Sequence, residues 1–196
     1  MARLTREESQ AQTRAKLLEC APRVVAREGY EAAPIDKITE AAGFSKGAFY
    51  SNFDSKEEFF IELLARHAGQ DVVEIGRLLD DAPEPKEIID RICDWAEQRS
   101  ADPTWGLLAL ELFRRARREA TFGSEHSSLF RAQWRGVGEL LMPIANGSEE
   151  LDPELLGAMV LELTYGAASG FNSGEGPRVS DLVRLALQSV HNAYGR

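Results

Sequence analysis

Two short helices joined by a glycine are predicted at residues 38–52, and this segment constrains the fold more than any other. The run Ile38–Phe44 contains the glycine, and Ser45 follows as a residue suited to cap a new helix. A second capping pattern, Ser55-Lys56-Glu57-Glu58, then begins a longer helix. This order of a helix, a glycine turn, a short helix and a third helix is typical of a DNA-reading helix-turn-helix.

Helical periodicity extends over the whole chain, because apolar residues recur at three- and four-residue intervals and no sustained alternation indicates a strand. We therefore expect an all-α protein with a three-helix head at residues 1–55 and a larger helical body at residues 56–196. Pro22 falls inside the first helix and predicts a bend near Leu18. The expected helices are Thr5 or Ser9 to Glu28, Pro34–Gly43, Ser45–Asn52, Ser55 to the Pro83 break, Lys86–Arg99, Pro103–Glu119, Glu125–Pro143, Asp152–Gly170 and Asp181–Tyr194.

The distribution of charge reconciles a net charge of −9 with a DNA-binding head. Residues 1–56 hold nine Lys and Arg against eight Asp and Glu, whereas residues 57–196 hold fourteen against twenty-four. The excess acid thus belongs to the C-terminal part of the chain. This asymmetry suits a small DNA-facing head on an acidic body, although an acidic body is also common among soluble proteins.

The composition favours a cytoplasmic protein without a membrane partner or catalytic chemistry. No run of about 18 apolar residues is present, and the N-terminus lacks the apolar core of a secretory signal. Cys20 and Cys93 lie in apolar helical patterns, which favours core thiols over a disulfide or a redox switch. His67, His126 and His191 lack the spacing of metal ligands, and no nucleophile–base motif occurs. We expect no metal, no cofactor, no catalytic residue and no enzymatic activity.

Residue types around the second short helix suit contact with a DNA duplex. Ser45 and Lys46 stand at its N-terminus, where unpaired backbone N–H groups and the helix dipole attract a phosphate. Gly47 removes a side chain where the backbone and the duplex would approach, and Tyr50 follows one turn later on the same face. The predicted DNA-contacting residues are Ser45, Lys46, Gly47, Tyr50, Ser51, Asn52 and Lys56. Three aromatic residues are spaced to pack inward and hold this helix: Phe44, Phe49 and Phe53.

Residues 29–61 resemble the N-terminal signature of the tetracycline-repressor (TetR) family, and the match is strongest at Ala42–Tyr50, Phe53 and Ser55-Lys56-Glu57. The resemblance implies that residues 1–55 bind DNA through the residues named above. It also implies that residues 56–196 bind a small-molecule effector and dimerise.

Two departures from the family pattern concern DNA contact. The family usually carries a capping Thr or Ser where this chain has Ala33-Pro34-Ile35. It also often has a histidine at position 52 and a larger or basic residue at position 51, where this chain has Asn and Ser. Base preference therefore cannot be copied from a relative.

An effector pocket like that of the family would lie among the fourth to eighth helices. Candidate lining residues on predicted inward faces are Trp95, Trp105, Phe113, Trp134, Met159, Glu162 and Tyr165, with plain core packing as the alternative. Glu162 interrupts an apolar run, so it must be exposed or find a partner, and in a pocket it would favour a cationic or hydrogen-bonding ligand. The basic run Arg114–Arg118 suits an anionic ligand or partner, or a solvated helix end.

The segments Asp152–Gly170 and Asp181–Tyr194 carry matching apolar stripes. In the family, such helices pair with their copies in a four-helix dimer bundle, whereas internal core packing is the alternative. The resemblance thus implies a homodimer on a pseudo-palindromic double-stranded operator. The expected function is a ligand-responsive transcriptional repressor that a small molecule releases from DNA. The alternative is a helical small-molecule-binding or protein-interaction module that has lost DNA binding, which the missing hydroxyl at Pro34 supports.

Overall fold

The computed structural model describes residues 5–28, 35–82, 84–102, 104–116, 120–166 and 176–195, and it contains no β-strand among them. The all-α prediction is confirmed. None of the described helices combines the length and the apolar content needed to cross a membrane. The helices are α1 Arg6–Glu28, α2 Ile35–Ala42, α3 Lys46–Tyr50, α4 Lys56–Leu79, α5 Pro85–Ser100, α6 Thr104–Ala116, α7 Ala120–Leu141, α8 Pro153–Gly166 and α9 Val179–Tyr194, with a 3-10 turn at Met142–Ala145.

Side-chain caps begin the helices where the sequence predicts them. The Glu8 N–H donates to the Thr5 hydroxyl at 3.2 Å and the Thr5 N–H donates to the Glu8 carboxylate at 2.7 Å, which is a complete capping box. At α4, the Glu58 N–H donates to the Ser55 hydroxyl at 3.0 Å. The α1 helix is continuous through Pro22, and the bend near Leu18 stays a prediction.

The predicted bounds of α7, Glu125–Pro143, were wrong at both ends. The helix begins at Ala120, because Gly123-Ser124 is helical in spite of its loop-like composition. It ends at Leu141, and Pro143 lies in the following 3-10 turn because a proline ring cannot continue an α-helix interior. The predicted ends of the sixth helix at Glu119 and the eighth at Gly170 lie outside the described residues.

Buried apolar side chains form two clusters, which we call the head core and the body core. The body core joins α4, α5, α7, α8 and α9. The head core consists of Leu17, Leu18, Ala21, Val24, Val25, Ile38, Phe49, Phe53, Phe59, Phe60, Leu63, Leu64 and Leu108. Because Leu108 belongs to α6 and four of these residues belong to α4, helices of the body complete the core of the head.

An arginine on α1 fastens the head to the start of α4. The Arg14 Nε donates to Glu62 at 2.7 Å and its Nη2 donates to Glu58 at 3.0 Å. The same guanidinium lies 4.0 Å from the centre of the Phe53 ring, in cation–π contact. This arrangement fixes the segment between α3 and α4 from one side.

Two glycines allow α7 and α8 to touch through their backbones. A Cβ on Gly138 would lie 1.7 Å from the Pro153 carbonyl oxygen, and a Cβ on Gly157 would lie 1.8 Å from the Trp134 carbonyl oxygen. Neither distance is possible for a real side chain, so this close approach requires glycine at both positions. It brings the side chains of α7 and α8 to a common wall of the body.

Candidate nucleic-acid interface and ligand cavity

The turn before α3 is defined by backbone hydrogen bonds. The Phe44 N–H donates to the Thr39 carbonyl at 2.8 Å and the Gly43 N–H donates to the Glu40 carbonyl at 3.0 Å, with Gly43 at φ +76°. This pair of bonds is the Schellman motif that ends a helix. The Ser45 hydroxyl then accepts the Ala48 N–H at 3.2 Å and caps α3.

The α3 helix divides sharply into a buried and an exposed face. Phe49 and Phe53 are 0% and 1% exposed, and Phe44 packs partly buried against the same core. The opposite face exposes Ser45, Lys46, Gly47, Tyr50 and Ser51, and Tyr50 is 51% exposed. The structure therefore brings these five predicted DNA-contacting residues to one surface, which we call the α3 face.

Packing within the protein does not account for the glycine at position 47. A Cβ there would meet the Ser45 hydroxyl at 3.7 Å, which is an ordinary van der Waals distance. Gly47 nevertheless lies on the exposed turn of α3, where the absence of a side chain leaves the backbone accessible. The helix surface is thus open to close approach by an external molecule.

Three of the predicted DNA-contacting residues are partly engaged inside the protein, namely Lys46 of the α3 face and the two remaining candidates, Asn52 and Lys56. The Lys46 Nζ lies 3.2 Å from the Asp36 carboxylate. The Asn52 side-chain amide donates to the Ala48 carbonyl at 2.7 Å, so this side chain is turned toward its own helix. Lys56 is half-buried at the start of α4, with its Nζ 5.8 Å from the centre of the Phe60 ring.

A cavity of about 670 Å³ lies in the body among α4, α6, α7 and α8, a size that suits a drug-sized ligand. Four of the predicted pocket residues line it: Trp105, Trp134, Glu162 and Tyr165. The side chain of Phe113 lies outside the described residues, as do those of Arg114–Arg118. The rest of the described lining is mostly apolar and includes Leu64, Ala109, Leu110, Leu129, Phe130 and Leu161.

Two predicted pocket residues belong to the body core, outside the described lining of this cavity. Trp95 continues the buried stripe of Ile88 and Ile92 on α5 and is 5% exposed. Met159 is partly buried and packs against the same core. Helical periodicity marks such residues as inward-facing, but it does not distinguish a core from a cavity wall.

A polar network beside the cavity was missed by the sequence analysis. The carboxylate of Asp71 accepts a hydrogen bond from the Tyr165 hydroxyl and another from the Gln133 amide at 3.1 Å. Both of these hydrogen bonds end on Oδ2 of Asp71. The Oδ1 atom lies 2.8 Å from the Arg99 guanidinium in an ion pair and accepts no hydrogen bond of normal geometry from the described residues. The Tyr165 hydroxyl also pairs with the His67 Nε2 at 2.8 Å.

Burial determines how this network is charged. Burial lowers the pKa of His67 to about 3, with the Arg99 charge acting in the same direction, so His67 is neutral at pH 7. Its 3.7 Å approach to Asp71 is therefore not an ion pair. Burial raises the pKa of Asp71 to about 6, although the Tyr165 hydrogen bond and Arg99 both favour its charged form. Asp71 is thus predominantly ionised at pH 7 and balanced by Arg99.

Sequence carries one signal for this network. His67 and Asp71 are four residues apart on the stripe of α4 that also contains Leu64 and Ile75, so both polar side chains must face the interior. The neutral His67 ring stacks on Trp105, with the ring centres 3.8 Å apart and the planes 7° from parallel. The network thereby supports a cavity wall.

Glu162 lines the cavity as an exposed residue and makes no ion pair among the described residues. Partial burial raises the pKa of its carboxyl group, and the nearby Trp134 indole partly offsets this effect. The Trp134 Nε1 is itself buried and makes no hydrogen bond of normal geometry within the described part of the chain. The carboxylate and the indole N–H thus lie next to each other at the cavity wall.

The cysteines and histidines do not assemble into a site. Cys93 is buried, which raises the pKa of its thiol to about 11, and Cys20 is half-buried. Within the described ranges, no three His, Cys, Asp or Glu side chains are grouped closely enough to hold a metal ion.

A capped helix with an exposed face, following a glycine turn in a three-helix head, defines the chain as a helix-turn-helix protein. Residues 17–63 match the family model described as "Bacterial regulatory proteins, tetR family". Among curated proteins, the HTH-type transcriptional repressor AcnR of Corynebacterium efficiens is 30% identical over 99 residues, which cover 46% of this chain and 53% of AcnR. The N-terminal part of the chain is thus similar to the tetR family of bacterial regulatory proteins.

Solved structures share the fold over most of the chain. The fatty acid degradation regulator FadR of Bacillus halodurans aligns with a TM-score of 0.68 at 22% identity and covers 91% of this chain and 94% of its own. The transcriptional regulator FadR of Bacillus subtilis, solved in complex with stearoyl-CoA, aligns with a TM-score of 0.67 at 20% identity, with coverages of 90% and 96%. At these identities the likeness shows the fold alone. The match to AcnR spans about half of that protein's length.

Proposed function

We propose that this protein is a ligand-responsive, sequence-specific DNA-binding transcriptional regulator that acts as a repressor. Residues 1–55 would read a pseudo-palindromic operator, and residues 56–196 would bind the effector and dimerise. The observation that carries this proposal is the α3 face, where Ser45, Gly47 and Tyr50 are exposed above the buried Phe49. The relative AcnR is named a transcriptional repressor, which supports the same direction of regulation.

Communication between effector and DNA is supported by side chains that the cavity shares with the head core. Leu64 belongs to the head core and also lines the cavity. Trp105, Leu129 and Phe130 line the cavity and pack against the edge of the head core. A ligand that displaces these side chains would therefore shift the packing beneath α1 and α4. Such a change alters the spacing of two heads in a dimer, which DNA can sense only through shape.

Dimerisation through α8 and α9 is supported by their outer surfaces. Leu155 and Leu185 are 65% and 67% exposed, the highest values among the large apolar side chains described as exposed. The predicted stripes are divided in the monomer, because Leu156, Val160 and Val183 are buried in the body core. The exposed remainder would pair with a second copy of the chain.

Selection of duplexes from a random pool tests the proposal without knowledge of the genome. The intact protein should enrich a pseudo-palindrome with half-sites about one helical turn apart. Gly47→Ala should lower affinity for that duplex at least tenfold, because its methyl group would occupy the surface that approaches DNA. Gly69→Ala is the matched control, since Gly69 is an exposed helical glycine of α4 with nothing within 4 Å of a Cβ.

Three outcomes are informative. Enrichment that is lost with Gly47→Ala and kept with Gly69→Ala supports DNA reading by the α3 face. Equal loss in both variants contradicts that assignment. Failure to enrich any duplex across several salt concentrations, with and without the cations named below, would favour a helical binding module that has lost DNA binding.

A further inference from the structure

The cavity in the body carries one carboxylate that no described cation neutralises. Asp71 is paired with Arg99, and burial keeps His67 neutral. Arg131 also lines the cavity, but its guanidinium is exposed and bound to Glu154 at 2.6 Å. Glu162 has no ion pair within the described part of the chain. The charge that a ligand meets at this wall is therefore negative.

The surroundings of Glu162 are aromatic. Trp134, Tyr165 and Phe130 line the same cavity, and the ring centres of Phe130 and Trp134 are 6.2 Å apart. The faces of such rings attract a positive charge within about 6 Å of their centres, most strongly where water is excluded. A carboxylate and aromatic ring faces that line one mostly apolar cavity are the groups that attract an organic cation.

We infer that the effector of the proposed regulator is an apolar or aromatic cation, which places its positive group beside Glu162 and its body against the aromatic wall. This inference rests on the proposed function only in so far as it calls the ligand an effector. The binding preference belongs to the cavity itself and can be measured without DNA.

The same geometry disfavours an anionic ligand such as a fatty acyl carboxylate. A negative group in the cavity would approach Glu162, and the described lining offers it Arg131 only after that side chain leaves Glu154. The FadR of Bacillus subtilis was solved with stearoyl-CoA, but at 20% identity its likeness concerns the fold. Residues that line a cavity decide its ligand, and fold does not.

Calorimetric titration of the full chain with shape-matched probes tests the inference. Tetraphenylphosphonium and tetraphenylborate have nearly the same shape and opposite charges, triphenylphosphine oxide is neutral, and ethidium is a planar second cation. At least one cation should bind ten or more times more tightly than tetraphenylborate. Glu162→Gln should lower the affinity for that cation at least tenfold and leave the affinity for triphenylphosphine oxide unchanged.

Glu139→Gln is the matched control, because Glu139 is an exposed carboxylate of α7 that does not line the cavity. It removes the same charge and should leave the affinities of both cations unchanged. Unchanged binding of triphenylphosphine oxide by Glu162→Gln also shows that the variant is folded. Equal loss in the two variants would overturn the inference, because it would mean that net charge rather than Glu162 attracts the cation.

The inference fails if neither cation binds, if tetraphenylborate binds more tightly, or if Glu162→Gln binds the cation as well as the original chain does. Its failure is distinguishable from failure of the proposed function. Cation binding without enrichment of any duplex would support the cavity assignment and contradict the regulator. Enrichment of a duplex without cation binding would do the reverse.

Discussion

Gly43 adopts φ +76°, a backbone conformation that costs an L-residue about 1–2 kcal/mol. We expect Gly43→Ala to lower the free energy of unfolding by about 1 kcal/mol, because the Schellman turn before α3 would have to hold an alanine in the left-handed region. Urea denaturation followed by circular dichroism measures this change. Gly47→Ala is the control, since Gly47 is helical and alanine is the better helix former. A loss of the same size in both variants would contradict the turn's role.

Asp71 should produce a stability change with pH that is opposite in sign to that of most carboxylates. Its pKa is raised by burial from 3.8 to about 6, so the folded state holds more protons than the unfolded state between about pH 4 and pH 6. Stability from this group is therefore present at low pH and is lost as pH rises through that window. In Asp71→Asn this dependence disappears. The unfolding free energy of Asp71→Asn minus that of the original chain should rise by about 2 kcal/mol from pH 4 to pH 7.

Glu58 supplies the contrast for that measurement. The backbone N–H of Asp54 is the main cause that lowers the pKa of Glu58, with help from Arg14. A lowered pKa contributes stability that is present above the unfolded pKa and is lost as pH falls. The corresponding difference for Glu58→Gln should thus fall as pH rises. Differences of the same sign in both variants would show that burial does not control Asp71.

Among the helices, α7 and α8 depend most on the absence of side chains. A Cβ at Gly157 would lie 1.8 Å from the Trp134 carbonyl oxygen, and neither backbone can yield without separating the two helices. We expect Gly157→Ala to lower the free energy of unfolding by about 3 kcal/mol, at the upper end of overpacking costs. Thermal or urea denaturation measures it.

Gly69→Ala provides the matched helix substitution for Gly157→Ala. Its Cβ would point into open space on α4, so the variant should be equal to the original chain or up to about 1 kcal/mol more stable. If Gly157→Ala proved as stable as Gly69→Ala, the backbone contact between α7 and α8 would be wrong.

The elements differ in how far sequence could predict them, and the range of their interactions explains the difference. The capping box at Thr5, the N-cap at Ser55 and the turn at Gly43 depend on residues within five positions, so local patterns predicted them correctly. At Ser55 the second bond of the predicted capping box is replaced, because the Glu58 carboxylate accepts the Asp54 N–H instead. The predicted start of α7 was wrong, because Gly123 and Ser124 are helical although their residue types favour a loop. The network at Asp71 joins partners 62 and 94 residues away, which no local pattern encodes.

At the scale of the whole molecule, head and body share one hydrophobic junction. Leu108 of α6 is 1% exposed inside the head core, and its neighbour on the helix, Trp105, lines the ligand cavity. Effector and DNA would be coupled through this junction. Such coupling is reciprocal. A ligand that lowers the affinity of the protein for DNA must therefore itself bind less tightly, by the same factor, when DNA is bound. Titrating a bound cation in the presence and absence of the selected duplex measures both directions.

Leu108→Ala should uncouple the head from the body. Truncating this buried side chain should lower the free energy of unfolding by about 2–5 kcal/mol. The lost contacts are those that join α6 to the head core. Trp95 and Trp134 pack in the body, whereas Trp105 lies at the edge of the head core, so fluorescence follows mainly the body. Circular dichroism follows every helix. In the original chain the two signals should change together in urea. In Leu108→Ala the circular dichroism should decrease first, because α1 to α3 lose their support.

Leu156→Ala is the matched control, because it truncates a leucine that is equally buried but lies away from the junction. Leu156 is also 1% exposed, but it belongs to the body core. The control substitution should lower stability by a similar amount and keep the two signals coincident. The comparison separates lost stability from lost coupling, which a single variant cannot do. Coincident transitions in Leu108→Ala would mean that the Arg14 contacts with Glu58 and Glu62 hold the head without α6, and effector signals would then have to pass through α4 alone.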